Sequence, residues 1–576
     1  MGGCSGHGTV GPTNTFSLNG NPGGATPVTP PGGSTALFHP AAGILPYPTD
    51  LYFAGSTDGT LNIQPANALM PNQAAVNALD GYSTTAVIRE RFGGALDPAS
   101  FTAASIIIVP VTTDNRTKAT TGVLGAPLAL GTDFAAALAT DAGVGPTILE
   151  ITPLHPLMPS TCIDATTHQF LGANCTTGTG YLVFLTSGIR DASGDAAVPD
   201  TDYATIKAAL ASGGPTCPSI TDATLNGICQ LTGAHLAIAQ ALAAQIPALA
   251  PSLNPSNIVL SFSFTTESTV DTLELLGAIT KPQPIKANPT GITTAQAHAG
   301  LAGHADLYVG VLTIPYYLSK TAPLTASWQA PPFPLDPTST DITRFNPLPV
   351  ATQMLQIPVL ITVPNANSAY VKAGGPAPPP GGWPVLIYQH GVVVNREFML
   401  PVADSFADAG FVVVAIDLPL HGVTDKTDPL YATDANPAYA GLISTGTGSI
   451  ERTFDLDVNT NQGRDIIPGS PPDGLIDPTG SHYLNLASPL TARDNFREAA
   501  ADLITLERSL PNLTLSGAAI DTTRVHFLGH SMGGIVGTMF MAVISPTEVS
   551  AASLVNAGGN WALLAQTSPS FSPVVL

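Results

Sequence analysis

The stretch that decides the fold is Arg524-Val525-His526-Phe527-Leu528-Gly529-His530-Ser531-Met532-Gly533-Gly534. Val525, Phe527 and Leu528 make a short apolar strand, and Ile535 to Phe540 can continue as a buried helix. Ser531 falls at the sharp turn between them, flanked by Gly529 and Gly533 in the pattern G-x-S-x-G, with His530 inside it. The spacing has a physical reason. A serine on a strained turn holds its hydroxyl clear of the sheet. Strand and helix backbones then pass so closely that only glycine fits on either side. In a chain with 56 glycines the bare pattern carries little. Its context separates a presented nucleophile from a glycine-rich turn with a capping serine.

A second segment agrees. Pro384-Val385-Leu386-Ile387-Tyr388-Gln389-His390-Gly391 reads as a buried strand ending in His-Gly, and Gly410-Phe411-Val412-Val413-Val414-Ala415-Ile416-Asp417 as another. Phe398 to Ala409 fits a helix between them, closed by Gly410. Apolar strands alternating with helices predict an α/β class, a parallel sheet covered on both faces. These segments together resemble an α/β-hydrolase, with a doubly wound, mostly parallel sheet and His390-Gly391 in the loop after its third strand. The resemblance implies Ser531 as nucleophile. It also implies an oxyanion hole made by the N–H groups of Met532 and of Val392 (or Gly391), worth a few kcal/mol in the transition state.

More narrowly, the chain resembles the bacterial virulence-factor-type lipases, surface lipoproteins with a β-rich region before the hydrolase. The matching stretches run from Ala305-Asp306-Leu307-Tyr308 to Pro315-Tyr316-Tyr317-Leu318. They also include Gly480-Ser481-His482-Tyr483-Leu484-Asn485-Leu486, Arg493-Asp494-Asn495 and the Gly529–Gly534 elbow. This resemblance implies a lipase, esterase or lysophospholipase acting on acyl-ester lipids through an acyl-enzyme. A polyester depolymerase, peptidase or acyltransferase uses the same elbow. A non-catalytic surface-binding lipoprotein remains the third class.

The difficulty lies after Ser531. A serine needs a base, and the base an orienting acid. In α/β-hydrolases they follow in the order Ser, Asp/Glu, His. Residues 532–576 hold no histidine and one acid, Glu548. Ala551 to Gly559 reads as the next core strand. The expectation is a chain truncated at its C-terminus, with acid and histidine beyond residue 576. The rival is an upstream base, His421 or His390, both on loops at the strands' C-terminal edge. Each also has a plainer reading as a structural or oxyanion-loop histidine.

Composition bounds the rest. A chain of 576 residues is too long for one core. Charged residues are 10% and the net charge is −21, which excludes phosphate-backbone binding and so nucleic acid as a partner. Mean hydropathy is +0.26, yet no apolar run reaches the roughly 18 residues of a membrane span. Leu231 to Ala250, interrupted by His235, Gln240, Gln245 and Pro247, reads as the Ala-rich helix of a soluble domain. No phosphate-cradling glycine loop follows a strand, so no nucleotide or flavin cofactor is expected.

Three parts are expected: a tether over 1–35, a β-rich domain over 36–275 and the hydrolase over 276–576. Met1-Gly2-Gly3-Cys4-Ser5 resembles the end of a bacterial lipobox, which implies Cys4 as the acylated N-terminus, a signal peptide, and a surface or outer-membrane location. Secretion is the alternative. Gly11 to Ser34, rich in Gly, Pro, Thr and Asn, reads as a flexible tether. In the β-rich region, Thr84–Phe92, Ser105–Val111, Tyr181–Thr186 and Ile258–Phe264 read as strands of an Ig-like sandwich. Cys162 with Cys175, and Cys217 with Cys229, bracket short segments; local pairing would stabilise by about 3 kcal/mol each. Four cysteines allow three connectivities, and only short separation favours this one. A zinc site is the rival, without a C-x-x-C to support it.

Residues 423–490 read as a long polar insertion close to the site, of the kind that forms lids. Asp455, Asp457, Asn459 and Asn461, then Gly463, Asp473 and Asp477, loosely echo a calcium loop without its closing Glu. A solvated loop is the plainer reading. Arg493-Asp494-Asn495-Phe496-Arg497 opens a helix over 496–510, its charges pinning the insertion to the helix.

Overall fold

The computed structural model describes residues 33–64, 71–139, 147–213 and 217–559. Cys4 and nearly all of the expected tether lie outside the described residues. The chain divides into two compact units: Met1–Asp271 with Pro332–Pro347, and Thr272–Pro331 with Leu348–Leu576. The return of 332–347 to the first unit is not foreshadowed by the sequence.

The first unit is β-rich. One sheet has five strands, in the order Phe134–Leu138, Thr147–Pro153, Ile88–Phe92, Thr35–Ala36, Val198–Pro199. The other has four, Thr120–Val123, Ile106–Asp114, Thr177–Thr186 and Ile258–Thr265, all antiparallel. Both contribute to one core, with Phe92 and Leu149 from the first meeting Val109, Phe184 and Phe264 from the second. The disulfides pair locally, Cys162–Cys175 and Cys217–Cys229. The expected helix over 231–250 runs instead from Ala223 to Gln245. Asp222 sets the start, its side chain accepting the Leu225 N–H at 2.8 Å, and Pro247 follows the end. By length and composition this helix could cross a membrane, but Ile228, Leu236, Ala239 and Leu242 lie in the unit's core.

The second unit is built on a seven-stranded sheet. Its strands are β1 (Ile285–Thr293), β2 (Ala305–Tyr316), β3 (Gln353–Pro364), β4 (Trp383–Gln389), β5 (Val412–Ile416), β6 (Ile520–His530) and β7 (Ala551–Val555). Spatial order is β1-β2-β3-β5-β4-β6-β7; β5, β4, β6 and β7 are parallel and the rest antiparallel. Three helices matter to the site: α1 (Leu400–Asp408), α2 (Pro489–Ser509) and α3 (Met532–Met541). Gly410, at φ +80°, ends the α1 segment as the sequence suggests. Helix α2 begins seven residues earlier than expected because Pro489 is pre-set for its first turn.

Strand β7 continues the parallel run beside β6, and its five residues are exposed, as an edge strand among the described residues. The insertion is loop-like, as its composition predicts, but its first part is not solvated. Leu430, Ala432, Tyr439, Ile443 and Ile450 are buried in the layer that also holds Met399, Leu400, Leu386 and Val413. Its apolar residues are spaced too irregularly to signal an element, yet they fill one face of the sheet.

Candidate active site

Ser531 stands between β6 and α3 at φ +54°, ψ −117°. A non-glycine residue held there costs on the order of 1–3 kcal/mol, so its surroundings must impose it. They do so from both sides. Its N–H donates to the Val555 carbonyl at 2.8 Å, and its own carbonyl accepts from Gly534 at 2.9 Å and Ile535 at 3.1 Å. A methyl group on Gly533 would lie 2.6 Å from the His390 carbonyl oxygen, and one on Gly529 2.6 Å from the Gly533 carbonyl carbon. Both obstacles are backbone. The two glycines are thus required for the reason the sequence suggests.

Gly391 completes the approach. It is buried, and a Cβ there would sit 3.1 Å from the Ser531 Cβ. Gly391 and Val392 therefore adjoin the serine. Met532 opens α3, so its N–H belongs to the first turn, where no intrahelical acceptor exists. His530 packs its ring 5.5 Å from that of Phe398. The Ser531 hydroxyl has no hydrogen bond to a histidine among the described residues.

The upstream histidines are committed elsewhere. His390 is fully buried; its Nδ1 donates to the Gly391 carbonyl at 2.7 Å and its Nε2 accepts the Leu418 N–H at 3.1 Å. Those two bonds assign the neutral Nδ1–H tautomer, and burial holds its pKa below the usual histidine range. His421 is also fully buried. Its Nδ1 bonds the Pro419 carbonyl at 2.8 Å, and Gly480 is packed against its Nε2. Burial, then the neighbouring His390, pushes its pKa well down. Neither is arranged as the base of Ser531, and both instead brace backbone.

The acidic residues of the insertion organise the insertion itself. Asp457 accepts the Asp473 and Gly474 N–H groups at 3.0 and 2.9 Å, and Asp477 accepts Val458 at 3.0 Å and bonds His482 at 2.6 Å. Asp455 bonds the Tyr431 hydroxyl, Asn459 accepts the Gly469 N–H, and Asn461 donates to the Ile476 carbonyl. Among the described residues no three His, Cys, Asp or Glu side chains gather as metal ligands.

Sequence reasoning missed a buried charge lattice beside the site. Arg396, Asp417, Glu451, Arg452 and Asp502 are each at most 1% exposed. The Arg396 guanidinium reaches Asp417 at 2.6 Å and both Glu451 oxygens at 2.7 Å. Arg452 bonds Asp502 at 2.5 Å and the Asp417 carbonyl at 2.7 Å. Burial raises the Glu498 carboxyl well above its usual range, and Glu498 accepts the Trp328 indole N–H at 2.8 Å. A signal was present: Asp494, Glu498 and Asp502 recur every four residues, on one face of a helix otherwise rich in alanine.

Residues 374–575 match the Alpha/beta hydrolase family. No curated protein matches the chain. Among solved structures it is similar to acetyl xylan esterase 1 from Thermoanaerobacterium sp. JW/SL YS485, at 14% identity and TM-score 0.25, covering 52% of this chain and 62% of that one. It is similar also to an acetyl xylan esterase from Paenibacillus sp. R4, at 15% identity and TM-score 0.23, covering 53% and 66%. A third is a ferulic acid esterase from Streptomyces cinnamoneus, at 17% identity and TM-score 0.18, covering 46% and 57%. The chain spans less than two thirds of the length of each of these three. The sheet order, the elbow and the family match agree: the C-terminal region carries an α/β-hydrolase domain.

Proposed function

We propose that this domain is a serine carboxylic-ester hydrolase working through an acyl-enzyme on Ser531. The observation that carries the reading is the backbone of Ser531, forced to φ +54° between two glycines that backbone contacts require. Ser531, part-buried, sits beside Gly391 and at the start of α3, where the N–H groups of Val392 and Met532 can receive a developing oxyanion. Acyl-ester lipids are the proposed substrate class, and acylation of Cys4 the proposed anchor. Glu548, the one acid of residues 532–576, is bound to Arg508 at 3.2 Å and is not proposed as the orienting acid.

The test uses the protein encoded by the whole reading frame. Wild type should hydrolyse 4-nitrophenyl esters and take up a fluorophosphonate at Ser531. Ser531→Ala should lose the label and at least about a thousandfold in kcat, the scale expected for a nucleophile. An unchanged rate would sink the assignment.

A further inference from the structure

The segment from Gly391 to Arg396 carries the proposed oxyanion donor, and it is gripped at both ends. At the first, the His390 ring holds the Gly391 carbonyl at 2.7 Å. A trans peptide is planar with its C=O and N–H opposed, so the Val392 N–H must face away from His390. Val393 follows in the left-handed region at φ +57°, a conformation the chain must be made to hold. At the far end the Arg396 N–H donates to Asp417 Oδ1 at 2.7 Å. Its guanidinium donates to Asp417 Oδ2, to both oxygens of Glu451 and to the Leu430 carbonyl, all at 2.6–2.7 Å. Glu451 belongs to the insertion and is itself seated by the N–H groups of Val423 at 3.0 Å and Ala432 at 2.7 Å.

One guanidinium thus joins the end of β5, the insertion and the segment beside Ser531. A bidentate buried pair fixes direction as well as distance. We propose that Arg396 and Glu451 are positioning residues of this site, so that the insertion is part of the catalytic apparatus, holding the 391–396 segment in register with Ser531. The inference rests on the esterase reading above, but its first consequence is structural and can be measured without turnover. Neither residue touches substrate; each acts through the Val392 peptide. Loss of the carboxylate should let that peptide tilt, and small misplacements of such donors cost rate rather than binding.

The experiment compares wild type, Glu451→Gln and Glu451→Asp, again expressed from the whole reading frame. Amide exchange over 391–396 is read by mass spectrometry, and kinetics are read on 4-nitrophenyl acetate. In Glu451→Gln, exchange over 391–396 should rise about tenfold, kcat should fall tenfold or more, and KM should stay within about twofold. Glu451→Asp keeps the charge but shortens the reach, and should fall between; it carries the test alone if Glu451→Gln does not fold. Unchanged exchange overturns the clamp. Raised exchange with unchanged kcat overturns its positioning role. A wild-type protein with neither hydrolysis nor label overturns the esterase reading, and the exchange data then support or overturn the clamp by themselves.

Discussion

Two arginines, Arg344 in the first unit and Arg396 in the second, are fully buried in a chain where charges are scarce. Arg344 is satisfied mostly by one side chain and by backbone. Its guanidinium meets the Asp80 carboxylate at 3.0 Å, the Asp80 carbonyl at 2.8 Å and Asn115 at 2.9 Å, with the Phe345 ring 4.6 Å away. It pins the 332–347 segment into the first unit's fold. Arg396 faces two carboxylates, Asp417 and Glu451, and pins an insertion instead. Burying a charge is costly unless it is paired. The same device has been used twice: a segment without regular structure is locked in place by one guanidinium. The difference is in what is stranded when the lock is removed.

That difference sets the largest expected effects. Arg396→Met leaves two carboxylates at most 1% exposed without their cation, and should cost about 3–5 kcal/mol, toward the upper end. Arg344→Met strands one, Asp80, and should fall near the lower end, about 3 kcal/mol. Urea unfolding of both variants reads the order directly. If Arg344→Met costs as much as Arg396→Met, the number of stranded carboxylates is not what governs the effect.

The same contrast explains what was legible. The elbow could be read because its requirement is local: Gly529 and Gly533 must be small, and their spacing from Ser531 is set by the turn. Strands β4 and β5 could be read because strands buried on both faces are apolar throughout. Arg396, Asp417 and Glu451 could not, because their pairing spans 21 and 55 positions and no periodicity connects them. The return of 332–347 was hidden likewise, since Arg344 meets Asp80 across 264 positions. The two upstream histidines are a different matter. His390 and His421 stand where an upstream base would have to come from, and only their hydrogen bonds show them to be braces.

A covalent contrast comes next in size. Both disulfides lie in the first unit, and residues 272–576 contain no cysteine. Their sequence separations of 13 and 12 correspond to about 3 kcal/mol each from loop closure. Dithiothreitol should therefore lower the unfolding midpoint of the first unit and leave the second unmoved, as followed by amide exchange in each. A parallel fall in both would mean that the units unfold as one.

The smallest effect separates two histidines that burial keeps neutral. His235, in the first unit, has its pKa pushed down to about 4 by burial, although Ser261 favours its charged form; its Nδ1 lies 3.3 Å from the Ser261 hydroxyl. Unlike His390, whose second nitrogen accepts the Leu418 N–H, His235 has no partner for Nε2 among the described residues. Its folded value is depressed from an ordinary 6.5. Below that ordinary value the unfolded chain binds the proton and the folded one does not, so stability is present above 6.5 and lost as pH falls toward 4. Between pH 7 and 5 the loss should be about 2 kcal/mol from this residue. His235→Leu removes the titrating group, so its unfolding free energy should lose that share of the slope while the slope from His390 remains. If the variant falls with pH as steeply as wild type, His235 is protonated in the folded protein, and its buried Nε2 has a partner such as water.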